Sequence, residues 1–258
     1  MATALEDLSL RLDDVAASAN FVSIASLLRP RLGHLIDWNA NQDQDDLKNL
    51  ARKFMNSKDV RYEILYGALF IRVLAAFEKF IRQLVESALH VMVEGTTYDE
   101  IAETLRMHNL RLTGRVLASI SEPRDHLTFN YENLVENLAS CKAGSSTFQL
   151  NGPVFSAVVA GGGPAVIEKA LKNIDVENWW DDVGRDKKLQ AVLGTKKSRD
   201  AANLSKEKLR ELWRLRNIIA HAGDENIEVS ETKFQESVIF IRTFSTALSS
   251  AVMARATN

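Results

Sequence analysis

The chain is poor in several features that usually betray a function. It has one cysteine, Cys141, in 258 residues. That excludes an intrachain disulfide and a cysteine-rich zinc site, and it leaves Cys141 as a small apolar residue, buried or half-buried. Prolines number four, and three of them, Pro123, Pro153 and Pro164, fall between positions 121 and 164. Charge of one sign is not in excess: 32 Lys and Arg stand against 34 Asp and Glu, for a net charge of -2. No global basic signature marks a nucleic-acid binder, so any RNA contact must be made by one local surface. No stretch approaches a membrane span, and Met-Ala-Thr-Ala-Leu-Glu-Asp at the start has neither a basic nor an apolar leader region. A cytoplasmic protein with no membrane partner is expected. There is no internal repeat and no heptad pattern long enough for a coiled coil.

Apolar residues make up 46% of the chain and are spread along it, enough for one sizeable core. Their spacing is helical almost throughout. Leu5, Leu8, Leu12, Val15 and Ala16 mark a first helix. A second apolar stretch from Phe21 to Trp38 is expected to break at Arg29-Pro30-Arg31 and Gly33. The strongest pattern runs from Val60 to Val93, with apolar steps of three and four from Leu69 to Leu89 and a stop at Gly95. Shorter helices are expected over Tyr98–Met107, Asn109–Ile120 and Ala165–Val176. The segment 121–164 is the least legible: Thr147–Leu150 and Val154–Val159 read as strand, loop or helix. Its Gly161-Gly162-Gly163 run lacks the Lys-Ser/Thr of a phosphate loop and reads as a turn. Trp179-Trp180 are read as packing against the helical core, with base stacking as the alternative. Val229–Ala254 is a final amphipathic helix.

The most informative run is Leu212-Trp213-Arg214-Leu215-Arg216-Asn217-Ile218-Ile219-Ala220-His221-Ala222-Gly223. It closes a helix over Leu204–Ala222, with Ser205 as the expected N-cap and Gly223 as the stop. Asn217 and His221 are four apart and share a face. Arg216 is about 140° from His221 around an ideal helix, so the two converge only if the helix end bends or a second subunit supplies a partner. A phosphate-binding guanidinium beside an imidazole is chemistry that cuts RNA without a metal. Spacing alone is permissive: Arg29-Pro30-Arg31-Leu32-Gly33-His34 repeats it across a proline and a glycine. The bland alternatives are a helix-end role for His221 and a salt bridge from Arg216 to a carboxylate such as Glu78. Upstream, Lys196, Lys197, Arg199 and Arg214 belong to a locally basic stretch suited to a polyanion, or simply to a solvated helix surface.

Arg216-Asn217-Ile218-Ile219-Ala220-His221 resembles the Arg-Asn-x-x-x-His signature of the HEPN superfamily, and the RiboL-PSP-type bacterial branch is the closest in pattern. Ala75-Ala76-Phe77-Glu78-Lys79-Phe80-Ile81 is similar to the family's earlier core helix. The resemblance implies an all-α, HEPN-like helical bundle with additional helices and a loop-rich insert. A single domain is expected, with an N-terminal extension (1–59), first core helices (60–120), an insert (121–203) and the motif and C-terminal helices (204–258). It further implies a homodimer with two Arg/His sets in one cleft, acting as a metal-independent RNA endonuclease, toxin or antiviral effector. Other members of the family only bind partners or nucleotides, and a non-catalytic adaptor is the alternative here. A toxin needs an antitoxin or an activating defence protein as a further partner. The branch of toxins silenced by nucleotidyl transfer carries a Tyr acceptor two residues after the histidine; that position is Gly223 here. In this reading Arg216 and His221 are catalytic, Asn217 and Glu78 support them, and Lys196, Lys197, Arg199 and Arg214 bind RNA. No cofactor or metal is called for.

Overall fold

One long helix, α2 (Tyr62–Val93), organises the core. The computed structural model describes residues 3–36, 62–119, 129–157, 159, 163–221 and 228–257, without the side chains of 29–36 and 63. Every apolar position expected between Leu69 and Leu89 is buried, with Phe70, Phe77 and Phe80 wholly so. Each such phenylalanine contributes about 2–3 kcal/mol of burial. Gly95, at φ +74°, carries the chain away from the helix in a conformation that a side chain would strain.

Three long helices pack against α2, beside the shorter helical segments 152–156 and 164–173. The first, α1 (Ala4–Ile36), runs antiparallel to it: Lys79 pairs with Asp7 at 3.1 Å, and the Tyr62 hydroxyl donates to the Ala25 carbonyl at 3.4 Å. Contrary to the sequence expectation, α1 continues through Pro30 and Gly33. A proline inside a helix costs one N–H bond and about 3 kcal/mol. Burial of Leu8, Leu12, Val15, Ala19 and Val22 offsets that cost. Helical backbone alone therefore does not separate the Arg29–His34 spacing from the Arg216–His221 one.

The other two are α9 (Ser198–His221) and α10 (Glu231–Ala256). Helix α9 is antiparallel to α2, with the Phe77 and Trp213 rings 5.7 Å apart and Ile219 against Gly67. Helix α10 is parallel to α2, with ring contacts Tyr66–Phe234 at 5.6 Å and Phe77–Phe244 at 6.0 Å. The Ser230 hydroxyl caps α10 by accepting from the Lys233 N–H at 3.2 Å. Alone among the described helices, α10 is long and apolar enough to cross a membrane, with mean hydropathy 1.4 in that window. This corrects the expectation that no stretch comes near. The window is apolar because α10 is a core helix, and 56% of it is buried in the bundle.

The middle of the chain is a series of mostly short helices joined by irregular segments. After a 3-10 turn (Tyr98–Glu100) comes one helix, α3 (Glu103–Ala118), where two were expected with a break near His108. The break falls instead at Ile101-Ala102. Then follow α4 (Tyr131–Ser140), α5 (Gly152–Ser156), α6 (Pro164–Asn173), α7 (Trp179–Arg185) and α8 (Lys187–Val192). Among the described residues there is no strand: Val154–Ser156 is helical and Thr147–Leu150 is irregular. Gly161 and Gly162 lie outside the described residues, and Gly163 stands at the N-cap of α6. Val154, Phe155, Ile167, Leu171, Trp179 and Leu189 join the same core cluster as α1, α2, α9 and α10. The fold is an all-α bundle with one contiguous core.

Candidate functional site

Helix α9 begins six residues earlier than expected. Ser205 is not its N-cap but a wholly buried residue seven positions inside it, its hydroxyl without a partner among the described residues. The helix start is clamped instead by α7 and α8. The Gln190 amide donates to the Gly184 carbonyl at 2.7 Å, and a Cβ placed on Gly184 would stand 2.2 Å from the Ser198 carbonyl oxygen. From there the inner stripe runs Ala202, Ser205, Leu209, Leu212, all buried. Arg216 is the next residue on that stripe, within about 40° of Leu209 and Leu212 on an ideal helix.

Arg216 is half-buried where its apolar predecessors are closed off. Its guanidinium turns aside and donates from Nη1 to the Asn217 Oδ1 at 3.2 Å. That bond draws the cation from the inner stripe toward the face that Asn217 shares with His221. Both Asn217 and His221 are exposed, and His221 lies in the last turn, where helix carbonyls go unpaired. Among the described residues no hydrogen bond joins His221 to Arg216 or Asn217. Gly223 lies outside the described residues, so the expected stop is not part of this geometry.

Glu78 is half-buried on α2, and among the described residues nothing joins it to Arg216. The antiparallel register explains this. Phe77 meets Trp213, so Glu78 is level with the turn around Leu212. Arg216 lies nearly a turn further toward the open end.

Lys196 and Lys197 sit in the connection before α9, and Arg199 in its first turn, all exposed. Arg199 is about 25 Å along the axis from Arg216. Arg214 is on the opposite side of α9 from Arg216, yet it lies within about 20° of His221. The outer ridge of the helix thus reads Arg199, Arg210, Arg214, Asn217, His221, every one exposed. Arg199, Arg210 and Arg214 make no ion pair among the described residues. Sequence reading passed over Arg210 as a site residue, although its spacing of seven and eleven to Asn217 and His221 was the available signal. On the flank of the same helix, Lys233 of α10 pairs with Glu211 and holds its carboxyl below the usual range.

The tryptophan pair is settled as packing. Trp179 is 2% exposed, its ring lies 4.0 Å from that of Trp180, and Trp180 donates to Glu168 at 2.6 Å. Cys141 is half-buried, and burial pushes its thiol up. Among the described residues, no group of three His, Cys, Asp or Glu side chains is arranged to hold a metal ion.

The all-α bundle of the described residues is that of a HEPN-type domain. The RiboL-PSP-HEPN family model matches residues 36–254, most of the chain, and the protein belongs to that family. A ribonuclease or nucleotide-related function goes with that membership in general terms. No curated protein and no solved structure matches the chain.

Proposed function

We propose that the protein is a metal-independent RNA endonuclease acting as a toxin or antiviral effector in the cytoplasm. The observation that carries this reading is the open end of α9. There Arg216 is hydrogen-bonded to Asn217, with His221 exposed on the same side and an arginine ridge leading up to it. RNA brings its own nucleophile, the 2′-hydroxyl. His221 takes the proton as O2′ attacks phosphorus, and Arg216 neutralises the charge that builds on the non-bridging oxygens. The 5′-oxygen leaves with a proton from a second acid, which the His221 of a second copy supplies. The products are a 2′,3′-cyclic phosphate and a 5′-hydroxyl, and DNA, lacking the nucleophile, is not cut. Asn217 positions the Arg216 guanidinium. Arg199, Arg210 and Arg214 track the phosphate backbone, and Lys196 and Lys197 extend that track for longer RNA.

A homodimer suits the surface around the motif. Ile64, Leu65 and Ile218 are exposed there at 52%, 40% and 37%, apolar side chains that a second copy would cover. The same surface favours a second reading, an adaptor that docks an antitoxin or an activating defence protein while the motif stays idle.

Incubating the purified protein with total RNA in EDTA separates the two. Cleavage leaving cyclic-phosphate ends, lost in Arg216→Ala and His221→Ala, is the expected result. A strict need for divalent metal, or 5′-phosphate products, would overturn the mechanism. A folded dimer that cuts nothing would favour the adaptor.

A further inference from the structure

At the opposite end of α2 from the motif, a cleft of about 640 Å³ opens between α2, α4 and the strand-free connection 147–153. Its volume is that of a small-molecule pocket. Helix α2 gives it Glu86 and His90, four apart on one face, and Glu94 follows in the turn just past the helix end. Helix α4 gives it Asn133 and Asn137, and the rings of Phe129 and Phe148 stand at its sides. Among the described residues no lysine or arginine lines it.

The floor is rigid. Asn151 is wholly buried: its backbone N–H donates to the Asn109 Oδ1 at 3.0 Å, and its amide donates to the Thr113 hydroxyl and the Leu134 carbonyl, each at 3.0 Å. Asn137 in turn donates to the Asn151 Oδ1 at 2.9 Å. That bond uses the donor end of the Asn137 amide and leaves its acceptor oxygen over. Glu86 is fixed likewise: the Ser156 hydroxyl donates to its Oε1 at 2.6 Å, leaving the second oxygen unused among the described residues. Phe148 is braced edge-on by Tyr98 at 5.5 Å. What the cleft offers is aromatic faces and acceptor oxygens, two of them carboxylates, with no lysine or arginine among the described residues to meet an anion.

We propose that this cleft binds a small organic polycation, a linear polyamine. A phosphate or a carboxylate would enter a field of its own sign. A single metal ion does not fit, because Glu86 and Glu94 are eight positions apart, about 12 Å at the helical rise, and cannot close on one centre. A chain with ammonium groups at both ends spans that distance, gives N–H donors to both carboxylates and to Asn137, and lays its methylenes and charges against the phenylalanine rings. Sequence reading missed the site because α4 and the 147–153 connection, which close it, carry no helical or charge pattern that points to α2.

Isothermal titration of the full chain with spermidine tests this, with magnesium chloride and cytidine as controls. Saturable one-to-one binding of spermidine is expected, weakened by salt, with neither control competing. Glu94→Gln, at an exposed position with no partner among the described residues, should weaken binding about ten-fold without moving the thermal midpoint. Phe148→Ala should weaken it as well. His221→Ala should bind spermidine as wild type does, whatever becomes of RNA cleavage, so failure here and failure of the nuclease reading are distinguishable. Absence of saturable binding, an unchanged affinity in Glu94→Gln, or equal binding of cytidine or magnesium overturns the proposal.

Discussion

The two ends of α9 are built to opposite rules. At its start, α7 and α8 close in until Gly184 leaves no room for a Cβ, and Ala201, Ala202 and Ser205 are buried. At its finish, Asn217, Ile218, Ala220 and His221 are exposed, and a Cβ on Gly67 would sit an ordinary 3.7 Å from Ile219. One rigid helix therefore joins a clamped end to an open one. The clamp fixes the direction in which the open end presents its side chains, and the chemistry sits where packing makes the fewest demands. A site on a scaffold can vary freely only if its own residues do not carry the scaffold.

Substitution at the two ends should then separate activity from stability, and the largest effect belongs to the open end. Arg216→Ala and His221→Ala are each expected to lower RNA cleavage by about 10²–10⁴-fold in a gel assay. Their thermal midpoints should stay close to wild type, since neither side chain is fully buried. Unfolding of either variant would mean the motif is structural, and the contrast between the ends would be lost. Glu78→Gln sharpens the point: with no contact to Arg216 in this chain, it should leave cleavage within about two-fold. At the clamped end the reverse holds. Gly184→Ala forces a methyl against the Ser198 carbonyl and should cost about 3 kcal/mol, a fall of roughly 6–12 °C in calorimetry, while the folded fraction still cuts RNA.

The outer ridge connects the two ends and gives an intermediate effect. The pair Arg210→Ala and Arg214→Ala should weaken RNA binding by about ten-fold and lower the slope of log affinity against log salt by about 1.4, as loss of two single-strand phosphate contacts requires. Lys196→Ala with Lys197→Ala should matter only for RNA long enough to reach about 25 Å from Arg216. A uniform loss on short and long oligonucleotides would show that the track does not follow α9.

How much of this was legible in the sequence depended on the kind of signal. The cores of α2 and α10 could be read residue by residue, because Leu69–Leu89 and Phe234–Val252 repeat at helical spacing and burial follows the period. The motif was legible for a different reason: its Arg-Asn-x-x-x-His pattern resembles a known signature, while its spacing alone, repeated at Arg29–His34, is permissive. Ends and breaks were not. Pro30 reads as a stop but the helical backbone of α1 runs through it, and Ser205 reads as a cap but is buried seven positions inside α9. The Glu78–Arg216 pair was a guess at register, and register between two helices is set by side-chain packing across them, here by Phe77 on Trp213. The clamp at Gly184 and the network around Asn151 join residues distant in sequence whose identities carry no periodic trace.

At the open end, spare room should allow a gain. Gly67 is helical, buried and free of close neighbours, so Gly67→Ala should stabilise the fold by about 0.5–1 kcal/mol through the reduced freedom of the unfolded chain. The same change at Gly184 destabilises, so the pair of midpoints, one up and one down, measures the difference in packing directly.

The smallest effect concerns what holds the open end to its neighbour. Lys233 pairs with Glu211 and depresses its carboxyl, with Lys208 adding to the effect at 3.6 Å. A carboxylate depressed by folding stabilises the fold above its ordinary value of 4.5. That contribution is lost as the pH falls below the ordinary value and through the lowered one, since protonation then removes an interaction that the unfolded chain never had. Glu211 is 47% exposed in its side chain, so solvent screens the pair and holds its worth to about 0.5 kcal/mol. Lys233→Met should lower stability by about that amount at neutral pH and leave it unchanged well below 4.5, flattening the curve between. Because the pair ties α9 to the first turn of α10, amide exchange on mild acidification, corrected for the intrinsic pH dependence of exchange, should quicken first around Ile218–His221 and last around Ala201–Ser205. Equal quickening at both ends would mean that α9 opens as a unit and that the clamp does not divide it.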